Sequence, residues 1–337
     1  LDKLNLYYVK KQLVNFMIGF AAMLVFMVVD YKVFKFLIKY VYAANLVLLI
    51  MIFAAGKTRG IAGWFKLDFI DRALQPGELC KISIIVTLSK YVSDCMDKEG
   101  KFRGLGYIIK TTMYCAVPTV LVMMQPDFGT AFVFICIMVF IYFIGRISWG
   151  YILTAAGGLA VCMPLAYYFV LSDSQRERID VFINPESDLQ NSGYNVAQSK
   201  IAIGSGQLTG KGFFSEGTLA QLRFVPERHT DFIFAGIVEG LGFVGGTIII
   251  CLFFALIFRW IYIAMRTKDS FGTCLVVGVA GMFTAHVFEN IGMTIGLMPV
   301  TGIPLPFISY GGSNLLTNLI GVGIVENVWM RRQSKKR

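Results

Sequence analysis

The sequence predicts an all-α polytopic membrane protein: a helical bundle of about nine transmembrane helices with one long extracellular loop. Three observations carry that reading. Of 337 residues, 56% are hydrophobic and only 15% charged, with a mean hydropathy of +0.66, too apolar for a water-soluble domain of this length. Apolar runs recur that can cross about 30 Å of hydrocarbon. Glycines and small residues sit inside those runs, as in "GGLAVC" and "GVAGMF", and their periods are mixed, which suits packed helices and not barrel strands.

In chain order, the runs lie near 10 to 29, 34 to 55, 79 to 95, 105 to 124 and 128 to 145, then 149 to 171, 231 to 258, 272 to 298 and 311 to 329. Lysine and arginine orient them. Lys32, Lys35 and Lys39, then Lys98, Lys101 and Arg103, then Arg146, then Arg259, Arg266 and Lys268, and finally the tail "RRQSKKR" fall at alternate helix ends. That face is predicted to be cytoplasmic. The opposite connections "QPD" (125 to 127) and "PVTGIPLPFISYGG" (299 to 312) carry neither residue, whereas 56 to 78 carries four and is placed outside by agreement of the other loops. Residues 172 to 230 form the long outward loop.

With the carboxy terminus inside, nine helices put the amino terminus outside, so a tenth helix is expected to precede the first one seen. "LDKLNLYYVKKQ" has no signal-peptide pattern. The net charge of +10 lies largely in the cytoplasmic loops and tail, where it sets topology and meets anionic lipid; nucleic acid is not expected as a partner. The seven cysteines lie in or beside spans without C-x-x-C spacing, so neither a disulfide framework nor a structural zinc is implied.

An ionisable group inside a span is costly unless paired or wet, which makes each one informative. Glu78 and Lys81 in "LQPGELCKISII" share a helix face three residues apart. They read either as a pair that eases insertion or as the lining of a polar cavity. Asp127 in "MQPDFGTAF" stands where a carboxylate caps a helix. Asp231 does the same before "FIFAGIVEGLGFVGG", but Arg228, His229 and Thr230 crowd it, and a capping aspartate does not need them. Glu239 lies about two turns deeper.

His286, Glu289 and Asn290 sit in a span that runs into a stretch with three prolines. Irregular backbone at membrane depth requires burial in protein or a watery cavity. The histidine reads as a packing residue or as a proton relay. "GSGQLTGKGFF" (204 to 214) imitates a phosphate loop, but it lacks a preceding strand and has phenylalanine after its last glycine. No nucleotide or organic cofactor is expected.

Six collinear blocks carry a resemblance: "QPGELCK", "QPDFGTA", "RIDVFINPESD", "SGYNVAQSKIAIGSGQLTGKG", "FVPERHTDFIFAGIVEGLGFVGG" and "NIGMTIGLMPVTGIPLPFISYGGS". The chain resembles the SEDS family (shape, elongation, division and sporulation), membrane glycosyltransferases of bacterial cell-wall synthesis. "QSKIAIGSG" with "PERHTDFIFA" is more similar to the elongation branch than to the division branch, which more often has alanine where this chain has Arg228. The sporulation branch is a more distant likeness. The chain departs from the family at Gly77, commonly serine, at Gln207, often glycine, and at the absent first helix. Glu289 matches no family residue.

The resemblance implies polymerisation of lipid II, a disaccharide-pentapeptide on undecaprenyl pyrophosphate, at the outer face of the bacterial cytoplasmic membrane. The acceptor's C4 hydroxyl attacks the anomeric carbon of the lipid-linked donor with inversion. Asp231 maps onto the family's essential aspartate, the general base, where a divalent cation, Mg or Mn, could assist. Arg228 and Lys211 would meet pyrophosphate, with Arg178 a weaker candidate; loop solubility is the alternative for Lys211 and Arg178. Glu78, Lys81 and Asp127 would line a polar cavity beneath Asp231, Glu239 would orient it, and Ser309 and Ser313 would bond sugar or phosphate. Family partners are a class B penicillin-binding protein (a transpeptidase) and elongation machinery. Two rivals use the same features: a lipid II flippase, and a scaffold that only recruits the transpeptidase.

Overall fold

The computed structural model describes residues 6–54, 63–67, 72–169, 173–184, 192–213, 227 and 229–332. A helix stands over every predicted span: α1 (Leu6–Val28), α2 (Phe34–Ala54), α3 (Pro76–Glu99), α4 (Leu105–Met123), α5 (Phe128–Ile144), α6 (Trp149–Phe169), α9 (Ile233–Arg266), α10 (Ser270–Thr294) and α11 (Gly312–Arg331). Among the described residues, five are long and apolar enough to cross a membrane, namely α1, α2, α4, α9 and α10. This is fewer than the nine expected, and three of the other helices are shorter or more polar. α5 is apolar but has 17 residues. α3 carries Glu78, Lys81, Lys90, Asp94, Asp97, Lys98 and Glu99, and α11 carries Asn314, Asn318 and Asn327. The protein is an all-α polytopic membrane protein with several long apolar helices.

Two regions read as loop contain regular structure. The segment 172 to 230 holds α7 (Asp173–Ile183) and α8 (Ser192–Ser205). α8 buries Val196, Ser199 and Ala202, residues three apart and so on one helical face. Between α2 and α3, β1 (Phe65–Leu67) and β2 (Arg72–Leu74) pair antiparallel, Phe65 opposite Leu74.

The chain forms two compact units. One contains residues 1–146, 256–285 and 310–337, the other 147–255 and 286–309. In the first, α1 packs along α11, and α11 closes the end of α1. Asn327 Nδ2 donates to the carbonyls of Phe26 (2.6 Å) and Val29, and Arg331 donates to those of Met27 (3.1 Å) and Val28. These are the orphan carbonyls that any helix end must satisfy.

In the second unit Phe232, Ala235, Val196 and Ala202 form one core, and Phe234, Val238, Phe253 and Leu305 another. α9 is broken at Gly242, whose φ of 71° and ψ of −174° are not helical. A strap of residues 206–213 lies across the break. Lys211 N and Gly212 N donate to the carbonyls of Glu239 and Gly240 (both 2.9 Å). Phe243 N and Val244 N donate to those of Gln207 (2.8 Å) and Leu208 (3.1 Å). These four bonds satisfy backbone groups released by the break within the protein, as a membrane span demands. At Gly210, with φ of 81°, a Cβ would overlap the Gly240 carbonyl. At Gly242 it would overlap Leu208 and Gly210 backbone. Gly206 and Gly210, two of the glycines that imitate a phosphate loop, make this approach, since a Cβ on Gly206 would overlap the Val238 carbonyl.

Candidate functional site

Asp231 stands two residues before α9, in a turn anchored on the Glu227 carbonyl. Thr230 N and Phe232 N both donate to the Glu227 carbonyl (3.0 and 3.3 Å), and Thr230 Oγ1 donates to the Glu227 carboxylate (3.0 Å). Phe232 enters the core at 2% exposure, while Asp231 stays half-buried.

Two buried side chains from distant sequence hold this turn by its carbonyls. Ser309 Oγ donates to Thr230 O (2.6 Å) and accepts from Leu305 N (2.8 Å). Asn290 Nδ2 donates to Asp231 O (2.8 Å) and to Ile303 O (2.7 Å). His286, one turn earlier on α10, places Nδ1 3.1 Å from Pro304 O; since a carbonyl only accepts, Nδ1 is the donor. α10 therefore clamps the proline-rich stretch and the aspartate turn together. A Cβ on Gly302 would lie 3.4 Å from Asp231 Oδ2, so the carboxylate lies against that glycine.

Glu239 is buried at 1% exposure and its Oε1 accepts a long bond from Ser205 Oγ (3.4 Å). Lys211 is exposed; its backbone ties the strap to Glu239. Arg228 lies outside the described residues, as does the side chain of Arg178 on α7.

The other unit holds a second polar cluster. Lys81 Nζ donates to Glu78 Oε1 at 2.6 Å, with both side chains buried. Asn314 Nδ2 approaches Glu78 Oε2 (3.5 Å), and Asn318 Nδ2 donates to Asn314 Oδ1 (2.8 Å). A ladder thus runs from the ion pair along α11. Asp127 caps α5: Oδ1 accepts from Thr130 N (3.0 Å), and Oδ2 accepts from Thr130 Oγ1 and Gln75 Nε2 (both 2.9 Å). Gln75 N donates to Ser313 Oγ (3.1 Å). Glu78, Lys81, Asp127 and Ser313 thus lie in one unit, and Asp231, Glu239, Lys211 and Ser309 in the other.

Asn290 had no predicted role, and neither did Gln75, Asn314 or Asn318. An asparagine inside an apolar run is the signal that could have found three of them, because a buried amide must find partners.

The fold and the Asp231 turn define a multi-pass membrane protein with an acid held at the head of a broken helix. The family model described as "Cell cycle protein", covering FtsW, RodA and SpoVE, matches residues 2–334. The peptidoglycan glycosyltransferase MrdB of Escherichia coli K12 is 37% identical over 317 residues, 94% of this chain and 84% of that protein. A probable peptidoglycan glycosyltransferase FtsW of Trichlorobacter lovleyi is 34% identical over 329 residues, covering 96% and 83%. Among solved structures, a peptidoglycan synthase complex that coordinates polymerization and crosslinking aligns with TM-score 0.82 at 27% identity, over 99% of this chain and 92% of that one. Thermus thermophilus rod-shape-determining protein RodA aligns with TM-score 0.71 at 25% identity, over 99% and 90%. The chain belongs to this FtsW, RodA and SpoVE family, the SEDS proteins.

Proposed function

We propose that this protein is a peptidoglycan glycosyltransferase that polymerises lipid II during cell elongation, with Asp231 as general base. The observation that carries the base assignment is the double clamp on its turn, Ser309 on the Thr230 carbonyl and Asn290 on the Asp231 carbonyl. Fixing two consecutive carbonyls fixes the Cα from which the carboxylate projects, and positioning is a large part of what a site contributes to catalysis. The strap across α9 holds the short helical stub behind Asp231 in the same way.

In the reaction, Asp231 takes the proton of the acceptor's C4 hydroxyl as that oxygen bonds to the anomeric carbon of the donor. The bond from that carbon to pyrophosphate breaks with inversion, and undecaprenyl pyrophosphate leaves. Lys211 and Arg228 are the cations assigned to the departing charge, Arg being suited to bidentate contact. Among the described residues no three His, Cys, Asp or Glu come together as a metal cluster. A Mg or Mn ion fits here only in the manner of one carboxylate plus substrate phosphates, with Asp231 the ligand, and it would neutralise pyrophosphate.

The remaining helices α3, α5, α6 and α11 complete nine crossings, with the carboxy terminus cytoplasmic and Asp231 facing outward. A class B penicillin-binding protein of the elongation machinery is the proposed partner. The alignment with a synthase complex that couples polymerization to crosslinking supports that pairing.

The test is polymerisation of labelled lipid II by purified protein with its cognate transpeptidase, native against Asp231→Asn. Strands from the native chain alone are expected. Equal strands from both would overturn the base assignment. No strands from either, with lipid II crossing vesicle membranes in both, would favour a flippase.

A further inference from the structure

The carboxy-terminal ends of α9 and α11 carry a group of side chains that the reaction does not use. The Arg259 guanidinium lies over the Trp329 ring at 4.8 Å and over Tyr262 at 5.5 Å. Arg266 lies over Tyr262 at 5.3 Å, and Arg332 over Trp329 at 3.0 Å. The two rings are 6.4 Å apart. Three guanidinium groups therefore share two aromatic rings, within one compact unit.

Like charges do not gather without a reason. Several other bases in this unit lie beside acids: Arg103 with Glu99 (2.8 Å), Arg331 with Asp30 (3.9 Å) and Lys35 with Asp94 (3.7 Å). Lys90 and Lys110 share the single Tyr91 ring, but among the described residues three guanidinium groups gather on rings only at this end. Among the described residues no carboxylate pairs with Arg259, Arg266 or Arg332; their partners are the two rings and, for Arg332, the Trp329 carbonyl (2.9 Å). The negative end of a helix accounts for Arg266 and Arg332, which stand at helix ends. It does not account for Arg259, which lies two turns before the end of α9, where the dipole effect has fallen away.

The stripe Arg259, Tyr262 and Arg266 occupies one helix face over about 10 Å, enough to bracket a headgroup layer about 5 to 8 Å deep. Its exposed neighbours are apolar: Phe258, Ile261, Met265 and, on α11, Met330. A surface that joins uncompensated cations to exposed apolar side chains matches one class of ligand, an anion with acyl chains.

We infer that this surface is a binding site for an anionic phospholipid of the phosphatidylglycerol type. The phosphate bridges the guanidinium groups, which suit it through planar paired donors. The chains lie along Phe258, Ile261 and Met265. The site is independent of the Asp231 chemistry and of the orientation of the bundle.

The experiment uses full-length protein in mixed micelles of equal phosphatidylglycerol and phosphatidylcholine, with retained lipid read by native mass spectrometry. The native chain is expected to retain phosphatidylglycerol several-fold over phosphatidylcholine, and Arg259→Gln/Arg266→Gln/Arg332→Gln to lose that preference. A second reading does not require the triple variant to fold. Brominated phosphatidylglycerol should quench Trp329 fluorescence, measured against Trp329→Phe, more than brominated phosphatidylcholine does, and the single change Arg259→Gln should weaken that quenching. Preference unchanged in the triple variant, or equal quenching by the two lipids, overturns the proposal. Displacement of the lipid by millimolar inorganic phosphate overturns it as well, in favour of a free-phosphate site.

Discussion

The two polar clusters solve opposite problems. Around Glu78 and Lys81 side chains meet side chains: charge faces charge at 2.6 Å, and amides extend the network along α11. Around Asp231 side chains meet backbone, with Ser309 and Asn290 each taking a carbonyl of the turn. The first arrangement makes buried charge tolerable, so its stability depends on charge balance. The second fixes a direction in space, so its value is geometric. Substitutions should therefore damage stability in the first and activity in the second.

The largest effect is expected at Asp231. Asp231→Asn keeps the shape and removes the proton acceptor, and polymerisation should fall by roughly 10²–10⁴-fold, the usual contribution of a general base. The melting temperature should barely move, because the residue is half-buried and asparagine keeps its shape. A large drop in melting temperature alongside lost activity would make Asp231 structural and erase the contrast between the clusters.

At the other cluster the signs reverse. Lys81→Met leaves Glu78 buried without its cation, a loss of about 3–5 kcal/mol. Lys81→Met with Glu78→Gln removes both charges and should recover much of it. Chemical denaturation of the four species in micelles gives the coupling, and an additive cycle would show that the pair does not act as a unit.

The legible parts of this molecule were those whose partners lie within a helical turn or two. Glu78 and Lys81 are three residues apart, and the spacing alone puts them on one face. Asp127 was readable as a cap, and its Oδ1 does accept from Thr130 N. The clamp was not readable, because Asn290 lies 59 residues from Asp231 and Ser309 lies 79 from Thr230, and no local pattern encodes such separations. The break in α9 was hidden for a different reason. The run 231 to 258 is apolar apart from Asp231, Glu239 and Thr247, and hydropathy does not register a change of φ at one glycine. Only the density of glycines in "GLGFVGG" and "GSGQLTGKG" hinted that two backbones approach. α7 and α8 escaped because short helices with few apolar positions give a weak periodic signal.

The strap lies between the two extremes in expected effect. Gly210→Ala puts a Cβ onto the Gly240 carbonyl at a positive φ, and overpacking of this kind costs about 1–3 kcal/mol. Because the strain acts on the stub that carries Asp231, the turnover rate should fall while lipid II binding is retained. Gly158→Ala, where the added Cβ meets nothing within 4 Å, is the control. Equal kinetics for the two variants would separate the strap from the site.

The smallest effect, the coupling between two side chains, sharpens the comparison from inside the Asp231 turn. Ser309→Ala leaves the Thr230 carbonyl and Leu305 N–H without the hydroxyl, and Asn290→Ala leaves two carbonyls without a donor; unmet buried groups cost about 1–3 kcal/mol each. The two side chains act on consecutive carbonyls of one turn, so the first removal should loosen it and the second should add less than its own single effect. The readout is the turnover rate at saturating lipid II beside the melting temperature for both singles and the double. A non-additive fall in rate, with stability losses that add, would mark the turn as a positioning device. Additive losses in both would reduce Ser309 and Asn290 to ordinary packing, and the Asp231 turn would then resemble the Glu78 cluster more than it differs from it.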